Sequence, residues 1–242
     1  MRATITPVFV SVFASLWLPL GLTAATPSRA DADPSVSAST SASADTNRDE
    51  LWFGGDFRAL RSSSANALTD ANLAGVSFGY ARDLGIAVLP RLAVWAEAGM
   101  AIGGTTGTMF QTLSTDLSTI GLTGGLRARY QLHRLIVASA RLAFGAQRAR
   151  VAITDSSGSS ASDHGWGSMA QASAALDLFA VTRPPFGFGV RAEFGYVAAQ
   201  AIGLTARRDT SGDTLMLPAN EIPLGGLDLS GPAFTISFVG QF

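Results

Sequence analysis

Hydrophobic and polar residues alternate with a period of two along most of the chain from Leu51 to Phe242. In the segment GVSFGYA, Val76, Phe78 and Tyr80 share one parity, while Gly, Ser and Ala occupy the other. Because successive side chains of a β-strand point to opposite faces, this alternation predicts strands with one apolar face. Eight segments have the pattern, and none has the period of an amphipathic helix.

The predicted connections between these segments alternate between long and short. Long polar connections are predicted at Arg61–Asn72, Gly103–Leu117, Thr154–Gly165 and Ala206–Pro223. Shorter ones are predicted at Asp83–Pro90, Gln131–Arg134 and Thr182–Pro185. An up-and-down barrel with long loops at one rim and short turns at the other has this rhythm. We therefore predict an all-β domain at 51–242, an eight-stranded antiparallel up-and-down transmembrane β-barrel.

Four large residues break the alternation. Trp95 and Phe179 fall on the polar parity, so we expect either an interior position for them or a slip in the register there. Leu227 and Leu229 have the opposite parity from the apolar residues of the last segment. A β-bulge at Gly231–Pro232 would absorb the extra residue, and we predict one.

The polar parity predicts which face of the barrel is outside. It consists mostly of Gly, Ala, Ser and Thr with one or two charged residues per strand, which suits a narrow interior better than a soluble surface. Only 14% of the chain is charged, against roughly 25% in soluble proteins. The apolar parity is therefore predicted to face lipid, with a water-soluble β-sandwich as the alternative. Aromatic girdles at the two interfaces are predicted to contain Tyr80, Tyr130, Trp166, Phe186 and Tyr196.

The charged residues of the polar parity are predicted to line the lumen. They are Asp56, Arg58, Glu97, Arg127, Arg129, Arg141, Asp177, Arg191 and Glu193. An unpaired charge in so narrow a barrel would carry a large desolvation cost, so we expect ion pairs that close the lumen. The alternative is a polar pathway for small solutes.

The first fifty residues have a different character. Arg2 followed by the apolar run Val8–Leu22 predicts a signal peptide at 1–30, cleaved at about 24–32. An uncleaved membrane anchor is the alternative. The Ser-, Ala- and Asp-rich segment 31–50 predicts a disordered periplasmic tail.

Little in the sequence points to catalysis or to a bound cofactor. The chain has no Cys and only two His, and a net charge of −1 provides no basic face for nucleic acid. His133 lies in a predicted periplasmic turn, and His164 lies in a Ser- and Gly-rich loop beside Asp163. We predict no enzyme activity, no metal site and no cofactor, with a lipid-modifying enzyme as a weaker alternative.

The chain ends in FTISFVGQF, with Phe234, Ile236, Phe238 and Phe242 at alternate positions. Together with the signal peptide, the eight alternating segments and the loop rhythm, this ending resembles the small bacterial outer-membrane barrels of the OmpA-barrel and OmpX type. In that family the barrel-assembly machinery reads the last strand, which implies that these four residues form an assembly signal here. Gly240 departs from the aromatic residue often found two positions before the end.

The resemblance implies a protein of the bacterial outer membrane with a structural role or a role in adhesion or recognition through its loops. A porin-like channel for small solutes is the alternative. The expected partners are outer-membrane lipid, lipopolysaccharide, the barrel-assembly machinery and an extracellular ligand of unspecified kind. We expect a monomer.

Overall fold

The computed structural model describes residues 49–69, 72–109, 113–156, 160–183, 186–208 and 221–242. The predicted signal peptide at 1–30 and residues 31–48 of the predicted tail lie outside this part of the chain. Among the described residues, no helix combines the length and the apolar character needed to cross a membrane.

Ten strands and one short helix make up the described part of the chain. The strands are β1 (Asp49–Ala59), β2 (Asn72–Leu89), β3 (Leu92–Met109), β4 (Leu113–His133), β5 (Ile136–Thr154), β6 (Ser160–Arg183), β7 (Phe186–Ala199), β8 (Ile202–Arg208), β9 (Glu221–Leu227) and β10 (Gly231–Gln241). The helix α1 spans Ser63–Leu68, between β1 and β2.

Eight of the strands close into a ring. Each strand from β1 to β6 pairs antiparallel with the next, β7 pairs with β10, and β10 pairs with β1. Closure leaves this ring without a free edge, as a membrane barrel requires. The predicted eight-stranded antiparallel up-and-down barrel is confirmed. We call the end of the barrel where β1 starts and β10 finishes the turn end, and the opposite end the loop end.

The strands β8 and β9 were not predicted. They form a hairpin within the predicted connection 206–223 and its flanks, and β8 pairs with the start of β6 at Ala161 and Ser162. The loop-end parts of β3 and β4 also lie in a segment that was predicted as a loop, Gly103–Leu117. Beyond the membrane, antiparallel strands pair through their backbones whatever the polarity of their side chains, because no lipid requires one face to be apolar.

Two other predicted connections also differ from the structure. The connection Asp83–Pro90 is mostly strand, because β2 continues to Leu89 with register shifts and turns at Pro90–Arg91. The connection Arg61–Asn72 contains α1, whose first turn is capped by Ser62. The Ser62 Oγ accepts a hydrogen bond from the Ala65 amide at 3.0 Å, which satisfies one of the free donors of a helix start.

The predicted β-bulge at Gly231–Pro232 is wrong. β10 pairs with β1 and with β7 in continuous register, without a shift. Leu227 and Leu229 do not belong to the lipid face; they are buried in an apolar cluster inside the loop end of the barrel, together with residues of α1 such as Leu68. Their parity is therefore that of the interior.

Glycines allow the close approach of neighbouring strands in this narrow barrel. A Cβ added at Gly145 of β5 would overlap the carbonyl oxygen of Leu122 on β4. At Gly121 of β4, which also faces inward, the nearest atom to an added Cβ is Met169 Sδ at 3.5 Å, an ordinary contact. Close approach of backbone is thus a requirement at Gly145 but not at Gly121.

Gly145→Ala is expected to lower the free energy of unfolding by about 1–3 kcal/mol, because the strands β4 and β5 must move apart. Gly121→Ala serves as the matched control and should cost clearly less. Urea unfolding of the barrel in detergent micelles, followed by tryptophan fluorescence, measures both. Equal losses in the two variants would contradict the assignment of close strand contact to Gly145.

Candidate functional site

The nine charged residues predicted for the lumen all lie on the inward face. Asp56 is half-buried, and the other eight are buried: Arg58, Glu97, Arg127, Arg129, Arg141, Asp177, Arg191 and Glu193. A tenth charge, Glu50, was missed because the sequence boundary was drawn at Leu51, whereas β1 begins at Asp49. Glu50 is 0% exposed and continues the inward parity of Trp52 and Arg58, which is the pattern that could have found it.

Four of these residues form a group at mid-height, here called the central quartet: Glu97, Arg127, Arg141 and Glu193. Arg127 donates from Nε to Glu97 and from Nη2 to Glu193, both at 2.8 Å. Arg141 donates from Nε to Glu97 and from Nη1 to Glu193, the latter at 3.3 Å. Ser173 donates a further hydrogen bond to Glu193 at 2.6 Å. Each carboxylate is therefore held by two guanidinium groups.

A second group, the turn-end quartet, consists of Glu50, Arg129, Asp177 and Arg191. Arg191 donates from Nη2 to Glu50 at 2.8 Å and from Nε to Asp177 at 2.7 Å. Arg129 donates from Nη1 to Glu50 and from Nη2 to Asp177, the latter at 3.1 Å. Gln241 of the last strand also donates to Glu50, at 3.1 Å. This quartet joins strands from opposite ends of the chain.

Both quartets are neutral, with two cations and two anions each. Burial of these charges costs free energy, and mutual pairing with further hydrogen bonds offsets that cost. Aromatic rings inside the barrel also contribute: the Arg129 guanidinium lies 4.6 Å from the centre of the Trp95 ring and 6.0 Å from that of Phe179. Trp95 and Phe179 are therefore interior residues. The β3–β4 ladder runs through Trp95 without a shift, whereas the β2–β3 ladder shifts next to Trp95 and the β6–β7 ladder shifts next to Phe179.

Arg58 and Asp56 belong to neither quartet. Arg58 donates to the side-chain oxygen of Gln147 at 2.8 Å, and Asp56 accepts from the Thr235 hydroxyl at 2.9 Å. Between the central quartet and the apolar cluster of the loop end, the interior contains a cavity of about 40 Å³. A volume of that size accommodates a few water molecules. Side chains fill most of the lumen around it.

Large apolar side chains cover the outside of the ring. They alternate with the interior residues on every barrel strand, and examples are Phe53, Phe78, Ile102, Leu126, Leu142, Leu176, Phe194 and Phe238. This exposed apolar belt around a closed ring is the surface that faces hydrocarbon in bacterial outer-membrane barrels. The chain has the fold of a small outer-membrane barrel. Its place in the cell is therefore the bacterial outer membrane.

The residues predicted for the aromatic girdles all have exposed side chains on this outer surface. Tyr80, Tyr130 and Phe186 lie towards the turn end, and Trp166 and Tyr196 lie towards the loop end.

The four residues of the predicted assembly signal also lie on the outside. Phe234, Ile236 and Phe238 project from β10, and the Phe238 ring stacks on Phe188 with 6.0 Å between the ring centres. Phe242 exchanges two backbone hydrogen bonds with Asp49, at 3.2 and 3.0 Å, so the last residue is tied to the first strand. Their recognition by an assembly machinery remains a prediction.

No family model and no curated protein matches the sequence. Among solved structures, the chain is similar to Ail, the attachment invasion locus protein of Yersinia pestis, with 11% identity, coverage of 81% of this chain and 100% of Ail, and a TM-score of 0.45. It is also similar to the β-domain of the Bordetella autotransporter BrkA, with 9% identity, coverage of 81% and 99%, and a TM-score of 0.36. The fold assignment itself follows from the strand pairing and the belt of this chain.

The two histidines are placed apart and on exposed positions. His133 is the last residue of β4, at the turn end. His164 lies on β6 and faces outward, whereas the neighbouring Asp163 is on the opposite face, where its carboxylate accepts a hydrogen bond from the Thr205 amide at 2.6 Å. Asp163 thus anchors the β8–β9 hairpin, and its other carboxylate oxygen accepts from the His164 backbone amide at 2.8 Å, not from the imidazole.

Proposed function

We propose that this barrel is a structural and interactional protein of the outer membrane, with a closed lumen and a binding surface at its loop end. The observation that carries the closed lumen is the pair of quartets, which link β1, β3, β4, β5, β6 and β7 across the interior. Charges held by two partners each do not move aside for a solute without losing several ion pairs. We infer no catalytic role.

The lengths of the strands support a binding surface outside the membrane. β4 has 21 residues and β6 has 24, whereas a membrane crossing needs about 9–11 residues in a strand. The turn end is fixed by short turns, so the excess length projects from the loop end. The β8–β9 hairpin widens this projecting sheet. An adhesion or recognition role, with an extracellular ligand, is proposed for this surface.

Contact with lipopolysaccharide is proposed for one patch of the outer surface. The register sets Arg148 beside Trp166 and Arg150 beside His164 on adjacent strands, facing outward towards the loop end. Arginine recognises phosphate groups well, and an aromatic side chain at the interface suits the boundary between head groups and hydrocarbon. We propose that these residues contact the phosphates of the outer leaflet.

The purified barrel, inserted into planar bilayers, is expected to show no stable conductance, because the quartets and the surrounding side chains fill the lumen. A labelled protein in the same preparation verifies insertion, so that an absence of conductance cannot result from an absence of protein in the bilayer. The double variant Glu97→Ala/Arg127→Ala, which opens the central quartet, should conduct more than the unchanged chain. Steady open steps in the unchanged protein would favour the small-solute channel instead.

A further inference from the structure

We propose that the interior of the barrel contains a binding site for a small inorganic anion, of the size of chloride, beside Arg58. The site is the cavity between the central quartet and the apolar cluster of the loop end. This site is separate from the proposed closure of the lumen, which rests on the two quartets. It would give the interior a bound ligand.

The Arg58 charge has no salt bridge in the interior. Its side chain is only 6% exposed, and its Nη1 donates to Gln147 at 2.8 Å and to the Leu229 carbonyl at 3.4 Å. Both of these acceptors are uncharged. The other four interior arginines each pair with two carboxylates. Among the described residues, Arg58 is therefore the one interior arginine without a salt bridge, and Asp56, two residues away on the same strand, acts on its charge only from beyond salt-bridge distance.

Hydrogen-bond donors without a partner are concentrated around one cavity. In the described part of the chain, six buried side-chain nitrogen or oxygen atoms have no hydrogen-bond partner. Five of them belong to residues that line this cavity: Trp52 Nε1, Arg58 Nε, Ser77 Oγ, Gln147 Nε2 and Arg191 Nη1. All five atoms can donate a hydrogen bond. Because buried donors without a partner lower the stability of the folded chain, a hydrogen-bond acceptor bound in the cavity would be stabilising.

The charge beside the cavity and the size of the cavity both favour a small anion over water. Water could accept these hydrogen bonds, but it would leave the buried Arg58 guanidinium without a direct anionic partner, because Asp56 lies beyond salt-bridge distance. A bound anion would accept the hydrogen bonds and also pair directly with this charge. The cavity of about 40 Å³ admits a single monatomic ion with little accompanying water and excludes large organic anions. Asp56 also lines it, but that carboxylate is half-buried and accepts from Thr235, without forming an ion pair with Arg58.

The test compares chloride with gluconate, an anion too large for the cavity, at constant ionic strength. The full barrel is refolded in detergent micelles and heated, and its unfolding midpoint is recorded as a function of chloride concentration. The midpoint is expected to rise as chloride replaces gluconate. Arg58→Met should lower the apparent chloride affinity about tenfold or more, because it removes a charge-assisted hydrogen bond. Arg134→Met is the control, since Arg134 is an exposed arginine in the turn between β4 and β5 that does not line the cavity, and it should keep the full dependence.

Two further measurements test the proposed anion site even if Arg58→Met does not fold. Ser77→Ala removes one unpaired hydroxyl and should weaken the chloride dependence. In crystals grown with bromide, an anomalous peak is expected within hydrogen-bond distance of Arg58 Nε. The proposal is overturned if the unchanged barrel shows no chloride dependence and no bromide peak, which would assign water to the cavity. A dependence that persists unchanged in Arg58→Met would also overturn it, because the anion would then bind elsewhere.

Discussion

Arg191→Met is expected to lower the free energy of unfolding by about 3–5 kcal/mol, the largest effect of any single substitution considered for this barrel. Arg191 is 1% exposed and holds both acids of the turn-end quartet. Its removal leaves Glu50 and Asp177 with Arg129 alone, so a buried negative charge loses its partner. Urea unfolding in detergent micelles, followed by tryptophan fluorescence, measures the loss.

Two variants separate this charge effect from a loss of packing. Arg191→Met combined with Asp177→Leu removes one charge of each sign, so the double variant should recover part of the stability. Arg150→Met, on the exposed outer face, should change it by less than about 1 kcal/mol. If the double variant is no more stable than Arg191→Met alone, the ion pairs are not what stabilises the interior.

Leu142→Arg is expected to cost about 2–4 kcal/mol in lipid, because it places a cation on the outer face near the middle of the membrane. The Leu142 side chain is 59% exposed, and its strand neighbour Arg141 belongs to the central quartet, which sets its height in the barrel. Unfolding from lipid vesicles in urea gives the size of the loss.

The matched control is Leu132→Arg. Leu132 is also an exposed, outward leucine, but it lies next to His133 at the turn end, where the charge can reach the interface. Its substitution should cost only about 0–1 kcal/mol. Similar costs for the two variants in lipid would contradict the position of the apolar belt.

The alternation of residues predicted the barrel because lipid and a narrow lumen impose opposite demands on the two faces of each strand. That constraint was strong enough to assign inward positions to Arg127 and Arg191 from parity alone. The same alternation gave an interior position as one of two expectations for Trp95, a large apolar residue on the polar parity of its strand. The structure provides its reason, because Arg129 stacks against its ring.

The requirement for alternating apolar and polar residues applies only to the part of each strand that crosses the membrane. Outside the membrane, neither face has to be apolar, so the hairpin β8–β9 and the helix α1 carry no periodic pattern, and Leu227 was misread as a sign of a bulge. The pairing of the interior charges could not be predicted either. Whether Arg127 meets Glu193 or another acid depends on the stagger of strands on opposite sides of the ring, which no single strand reveals.

The turn-end quartet has a consequence for the order of events in assembly. Its ion pair between Glu50 and Arg191 joins residues 141 positions apart, and the hydrogen bond from Gln241 to Glu50 spans 191 positions. A growing barrel that has not yet joined β10 to β1 therefore carries an interior acid without its full set of hydrogen-bond donors, and a buried acid without its partners is costly. Joining the last strand to β1 completes the hydrogen-bonded ring and adds the Gln241 donor to Glu50, whose charge Arg129 and Arg191 neutralise. We therefore expect the turn-end quartet to stabilise the closed barrel relative to a barrel in which β10 and β1 are not yet joined.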